Sequence, residues 1–173
     1  PKYVVAPNTR EDAAACSAEF AQAGLPGAIG SMDATHVCHE RIQFRLRQLH
    51  LAQKLHTSAR SYNIVTNHRR RILSTTTGHP ATWNDKTLVT FDEWVMGIRT
   101  GKYLSDLEFE LYEEQADGTV IKRKYRGAWL LVDNGYHHWA ITIPPYKRSE
   151  FRNEIRFSEW LESMRKDVEC TFG

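Results

Sequence analysis

Three acidic residues carry most of the chemistry this chain could perform. Asp33 lies inside a strand-like run, Ala28 to Cys38, and Asp133 directly follows the apolar run Trp129-Leu130-Leu131-Val132. Open α/β sheets gather ligands at the carboxyl ends of their strands, so acids there are placed to act. Taken singly, each aspartate also suits an ordinary turn or cap. The third acid, Glu169, belongs to the last helical stretch. With Phe157 set to zero and about 100° per residue, Trp160, Leu161, Met164 and Val168 form the inward face, and Glu169 falls at about 120°, on its border. From there it can reach strand-borne aspartates, or pair with Arg165 one turn earlier. Converging carboxylates repel one another and raise their pKa values. A hard divalent cation relieves that repulsion, and Mg²⁺ is commonly held by a few carboxylates with water and substrate phosphate. Two such ions about 4 Å apart activate an attacking water or hydroxyl and stabilise the leaving oxygen, which is phosphodiester chemistry. The expected metal ligands are therefore Asp33, Asp133 and Glu169, holding two Mg²⁺ ions, with Mn²⁺ able to substitute.

Those residues need elements to hold them. Thr9-Arg10-Glu11-Asp12 reads as a capping box that starts a helix running to about Ala23, with Cys16, Phe20 and Ala23 on one face and Gly24 ending it. The strand with Asp33 follows. Residues 40–60 fit either a basic helix or a long loop. Tyr62 to Thr66 and Ile72 to Thr77 are two β-rich runs around the turn Asn67-His68-Arg69-Arg70, an antiparallel hairpin. Asn84 or Asp85 can cap one helix running to about Arg99, with Leu88, Phe91, Trp94, Val95 and Ile98 inward. Residues 102–128 are polar, strand-like in places, with a turn at 116–119. Trp129 to Val132 reads as a strand buried on both faces. Ala140 to Ile143 is another short strand, and a helix from about Ser149 closes the chain.

A length of 173 residues suits one domain, and 41% hydrophobic with 25% charged residues is ordinary globular usage. These values exclude disordered, collagen-like and coiled-coil chains. No apolar stretch approaches a membrane span, and no secretion signal is evident. Cys16, Cys38 and Cys170 are too few and too scattered for a disulfide framework. The 23 Lys+Arg nearly balance the 21 Asp+Glu, giving a net charge of +2, so overall charge does not announce a nucleic-acid binder. Its distribution is more informative. His68-Arg69-Arg70-Arg71 and Lys122-Arg123-Lys124 are local basic clusters that, around an acidic centre, would suit a phosphate backbone; singly, each would be a solvated face. His36 and His39 point to opposite sides of a strand and chelate poorly together. No Walker loop, nucleophile elbow or dinucleotide fingerprint occurs.

The motifs around these residues resemble a family. Ala23 to His36, with Gly30-Ser31-Met32-Asp33, resembles the first-aspartate motif of Harbinger-type (PIF/Harbinger) transposases, nucleases of the DDE superfamily. Tyr62-Asn63-Ile64-Val65 through Trp83-Asn84-Asp85 resembles their next block, Leu131-Val132-Asp133-Asn134-Gly135-Tyr136 the second-aspartate motif, and Arg165 to Gly173 the closing motif that carries the glutamate. Asp133 and Glu169 are 36 residues apart, near the spacing such cores favour. The resemblance implies an α/β, ribonuclease-H-like fold, a mixed five-stranded sheet flanked by helices. It implies cleavage of DNA and strand transfer by Asp33, Asp133 and Glu169, with Asp85 and Arg165 as auxiliary residues, although Asp85 could equally cap its helix. Arg69, Arg70, Arg71, Lys122 and Lys124 would contact the DNA backbone. Transposon ends and target DNA are the implied partners, in the nucleus. Full transposases of this kind carry a helix-turn-helix region; none fits ahead of Asp33, and the chain stops four residues after Glu169. The expected object is thus a single nuclease domain over residues 1–173, truncated at both ends. That leaves room for a separate DNA-binding partner protein and for an oligomer. The other reading is a transposase-derived scaffold that binds DNA or protein without catalysis.

Overall fold

The computed structural model describes residues 4–7, 9–39, 41–52 and 57–172. Its first helix, α1 (Arg10–Gln22), begins as the capping pattern requires. The Thr9 hydroxyl oxygen accepts the Asp12 N–H at 3.2 Å, and the Thr9 hydroxyl donates to the Asp12 carboxylate at 2.8 Å. Gly24 ends it at φ +81°, a conformation that costs a residue without Cβ little. Strand β1 (Ala28–Cys38) follows. Among its described residues, the ambiguous stretch after it holds neither a long helix nor only loop. Besides a single 3-10 turn (Phe44–Leu46) it holds β2 (Leu51–Ala52), which pairs with the start of β3 (Thr57–Thr66).

β3 is the hub of the sheet. It runs antiparallel to β1, with Asp33 opposite Ile64, and it also pairs with β2, with β4 (Ile72–Thr75) and with β5 (His79–Pro80). On the other side of β1 lies β8 (Trp129–Leu131), parallel to it, and then β9 (Thr142–Ile143), parallel to β8. The result is a mixed sheet of seven strands, ordered β2-β3-β1-β8-β9, with β4 and β5 also on β3. The expected five strands fall short because β3 is ten residues long, enough to serve several short partners. A separate hairpin, β6 (Glu108–Glu114) with β7 (Val120–Arg126), accounts for the polar stretch before β8.

The single helix expected from Asn84 to Arg99 is two. α2 (Asp85–Val89) is capped by Asn84, whose side-chain oxygen accepts the Thr87 N–H at 2.9 Å. α3 (Glu93–Arg99) starts afresh, because Asp92 turns inward and caps it through the Val95 N–H at 3.1 Å. The break leaves Phe91 half exposed, not inward, stacked instead on Trp83 and tilted against His79. The last helix, α4 (Arg152–Thr171), lies over the sheet through Leu161 and Val168. Trp160, expected on its buried face, is 52% exposed, and its indole N–H donates to the Ala23 carbonyl at 2.7 Å.

Apolar side chains fill both faces of the sheet. Leu130 and Val132 join Ile29, Met32, Val65 and Val95 in one core, while Leu131, between them, packs with Phe20, Ala28 and Leu161 in the other. This alternation is what a short continuous apolar run means in a strand covered on both sides. It also fixes the direction of Asp33, whose neighbour Met32 takes the first core. Asp33 therefore points to the opposite face, where α4 lies. Gly173 and Lys54, a further member of the basic stretch, fall outside the described residues.

Candidate active site

Asp33 sits in the middle of β1, hydrogen-bonded at Oδ1 by the Ala34 N–H at 2.9 Å. Its Oδ2 is 3.5 Å from Nη1 of Arg165 on α4. Burial pushes the Asp33 carboxyl up to about 6; Arg165 and the Ala34 N–H pull it down, and the charges of Asp133 and Asp85 push it further up. Asp33 thus feels both of the other aspartates.

Asp133 lies just past β8. Its Oδ1 accepts the Gly135 N–H at 2.7 Å, which fixes the carboxylate over its own turn. Asp85 is the first residue of α2, and Asn84 is the cap, so the capping alternative for Asp85 falls away. Its carboxylate meets that of Asp133 above Gly135. A Cβ on Gly135 would lie 2.7 Å from Asp85 Oδ2 and 2.9 Å from Asp133 Oδ1. Only a residue lacking a side chain leaves that space between two carboxylates.

Glu169 approaches differently. Its side chain is 48% exposed and accepts from Arg165 Nη2 at 3.0 Å. Arg165 itself is 8% exposed and also faces Glu162 at 3.4 Å. One buried guanidinium therefore bridges Asp33 and Glu169, and both partners that sequence allowed for Glu169 meet in it. Among the described residues Arg165 Nε and Nη1 have no hydrogen-bond partner of their own.

The basic candidates lie on one turn and on strand β7. Residues 67–71 join β3 to β4, held by Asn67, whose side-chain oxygen accepts the Arg69 and Arg71 N–H groups at 3.1 and 2.9 Å. Arg69 pairs with Glu19 of α1, while Arg70 and His68 pair with Asp167 of α4, at 3.4 and 2.7 Å. On the β6–β7 hairpin Lys122 pairs with Glu110. Among the described residues Arg71 and Lys124 form no ion pair.

A model of a plant transposon protein family matches residues 2–173, nearly the whole chain. The chain belongs to the plant transposon protein family. No curated protein and no solved structure matches it.

For this family member the question is whether the acids suit a divalent cation. Among the described residues no group of three or more His, Cys, Asp or Glu side chains surrounds one point. The Asp85–Asp133 pair above Gly135 nevertheless suits Mg²⁺, which keeps much of its water and needs one or two carboxylates, with substrate phosphate supplying the rest. Asp33 lies close enough to respond to both charges, with Arg165 beside it.

Beneath these acids is a fully buried polar chain. The Tyr136 hydroxyl donates to Asn63 Oδ1 at 2.8 Å, and Asn63 Nδ2 donates to Asp92 Oδ2 at 3.0 Å. Asp92 Oδ1 accepts from the Ser74 hydroxyl at 2.8 Å. Burial, then the charges of Asp85, Asp33 and Asp133, push the Tyr136 phenol well above its ordinary value, so it remains a donor. Asn63 and Tyr136 fall in the motifs that carry the resemblance, but sequence assigned them no role. Asp92 was hidden in a pattern read as continuous helix. Its only signal was an aspartate one position before Glu93, a cap pattern in its own right.

Proposed function

We propose that the chain is the nuclease core of a Harbinger-like DDE transposase, with a ribonuclease-H-like fold, that cuts DNA and transfers strands in a metal-dependent reaction in the nucleus. The observation that carries this is the meeting of Asp85 and Asp133 over Gly135, with Asp33 on the neighbouring strand raised in pKa by burial first and then by the charges of both. Family membership and the order of the mixed sheet support it. Asp133 and Asp85 would hold the cation, with Asp33 completing the set on the β1 side. Glu169, the remaining member of the expected set, would join on the α4 side. Bound there, Mg²⁺ or Mn²⁺ supplies activation of the attacking oxygen and charge neutralisation at the phosphate. The protein's part is placement. The Gly135 N–H holds the Asp133 carboxylate, the β1–β3 register holds Asp33, and Asn84 sets the start of α2 so that Asp85 faces inward. Arg71 and Lys124 would hold the backbone phosphates of transposon-end and target DNA without reading sequence; Arg69, Arg70 and Lys122 would do so on leaving their present partners.

The test is a titration of wild type and of Asp33→Ala and Asp133→Ala with Mg²⁺ and Mn²⁺, following thermal stability and nicking of a labelled duplex. Wild type should gain stability and nick, and each variant should lose both. Metal-dependent nicking that survives in the variants would overturn the assignment.

One observation favours a second reading. Arg165 already places a positive charge between Asp33 and Glu169, so these acids do not need a metal to be tolerated. A transposase-derived domain that binds DNA or protein without cutting would show this arrangement. A folded wild type with no response to either metal would put that reading first.

A further inference from the structure

We infer that Asp92, Asn63 and Tyr136 form a directional positioning chain that holds the turn bearing Asp133; this rests on the reading of Asp133 as a site residue. Asp92 is 1% exposed. It takes one hydrogen bond from the Val95 N–H, one from the Ser74 hydroxyl and one from Asn63 Nδ2. The last of these settles which way the Asn63 amide faces. With Nδ2 committed to Asp92, its oxygen is left to face Tyr136, and the Tyr136 hydroxyl must donate. Asn63 is itself held on several sides. It lies inside β3 opposite Ala34, is fully buried, and its own N–H donates to the Thr76 hydroxyl at 2.9 Å. Tyr136 is thereby tied to the centre of the sheet. It is the last residue of the turn in which the Gly135 N–H holds the Asp133 carboxylate. The chain therefore anchors the far end of a turn whose near end is the strand β8. None of the three residues needs to touch substrate; they are positioning residues acting through Asp133.

Two substitutions separate positioning from general stability. Tyr136→Phe keeps the ring in its core and removes only the bond to Asn63. Ser74→Ala removes a bond to the same Asp92 but leaves the Asn63–Tyr136 link intact. Amide hydrogen exchange of the 133–136 turn in the full chain is the first readout. Exchange of this turn should accelerate at least tenfold in Tyr136→Phe and stay within about twofold of wild type in Ser74→Ala. Where wild type nicks DNA, kcat should fall at least tenfold in Tyr136→Phe with KM for DNA nearly unchanged, while Ser74→Ala leaves both intact. Equal exchange in the two variants, or a Tyr136→Phe enzyme with wild-type kcat, would overturn the inference. A wild type that never nicks would defeat the nuclease reading, and the exchange comparison would still decide the positioning one.

Discussion

At Asp33 burial and charge pairing oppose each other, and burial prevails: the carboxyl stands at about 6, although Arg165 is 3.5 Å away. The sign of the consequence is fixed by linkage. A carboxyl whose folded pKa is raised above its unfolded value favours the native state while protonated, so in metal-free protein the contribution of Asp33 should be fully present below about pH 4 and be lost as the pH rises through about 6. The difference between an ordinary 3.8 and about 6 corresponds to roughly 2–3 kcal/mol. Asp33→Asn, which never ionises, should therefore exceed wild type by up to about that amount at pH 8 in EDTA. The two should converge at about pH 4, as urea unfolding across the range would show. A wild type that gains stability over the variant between these limits would contradict this account. Gly135 makes a second prediction of the same kind. Its φ is ordinary, so alanine brings no backbone strain there, only a methyl group among the Asp85 and Asp133 oxygens. Gly135→Ala should cost about 1–3 kcal/mol in EDTA from overpacking and should abolish metal-induced stabilisation. A variant that keeps the metal response would mean the two carboxylates do not share a cation.

Among the elements, α4 brings Arg165 and Glu169 to β1, and its hold on the sheet comes from few contacts. Leu161 is fully buried against Phe20, Leu25, Ala28 and Leu131. Leu161→Ala should cost about 3 kcal/mol, the usual loss for a buried leucine that leaves a partly collapsed cavity, measurable as a shift in urea midpoint without a change in slope. The elements also show what sequence could and could not reveal. The Thr9 cap, the length of β1, the two-faced strand at Trp129 and the β3–β4 hairpin were legible, because each rests on local rules of capping and periodicity. The break at Phe91-Asp92 was not, since the helical period runs unbroken through it and the cause is a tertiary one, the burial of Asp92 against β3 and β4. Trp160 misled for a similar reason. Its angle on α4 is inward, but the space there is filled from α1, and the indole settles over the end of that helix with a bond to Ala23. Of the candidate site, the two strand-borne aspartates could be read from their settings. The pairing of Asp85 with Asp133 could not, because it depends on how α2 lies across the sheet.

For the whole molecule, the distribution of charge decides how DNA would be gripped. Net charge is only +2, so long-range attraction is weak and binding must depend on which cations are free. The clusters that stand out in the sequence are largely neutralised in the fold. Arg69 and Arg70 tie the β3–β4 turn to α1 and α4, and Lys122 is committed to Glu110 across the hairpin. A phosphate competing for any of these must first break an existing pair, so the net release of counterions on binding is small. Among the described residues Arg71 and Lys124 form no ion pair, so their cost is smaller, although Lys124 stands opposite Glu110 and, after the Lys122 hydrogen bond, its charge helps lower that carboxyl's pKa. Both cations are exposed, and they flank α1 on opposite sides. Arg71 lines a hollow with Asp12 and Glu19; Lys124 lines a cavity of about 590 Å³ with Arg10, Ala14 and Phe109. If the chain binds duplex DNA as proposed, the logarithm of affinity should fall linearly with the logarithm of salt concentration. Arg71→Ala and Lys124→Ala should each lower that slope by about 1, as loss of a phosphate contact does. Lys122→Ala should leave the slope near the wild-type value, because removing the lysine frees Glu110 instead of a bound phosphate. Fluorescence anisotropy of a labelled duplex at four or five salt concentrations measures all three. A large drop for Lys122→Ala, with none for the other two, would show that the hairpin gives up its internal pairs on binding and that the DNA path runs over β6–β7 instead of beside α1.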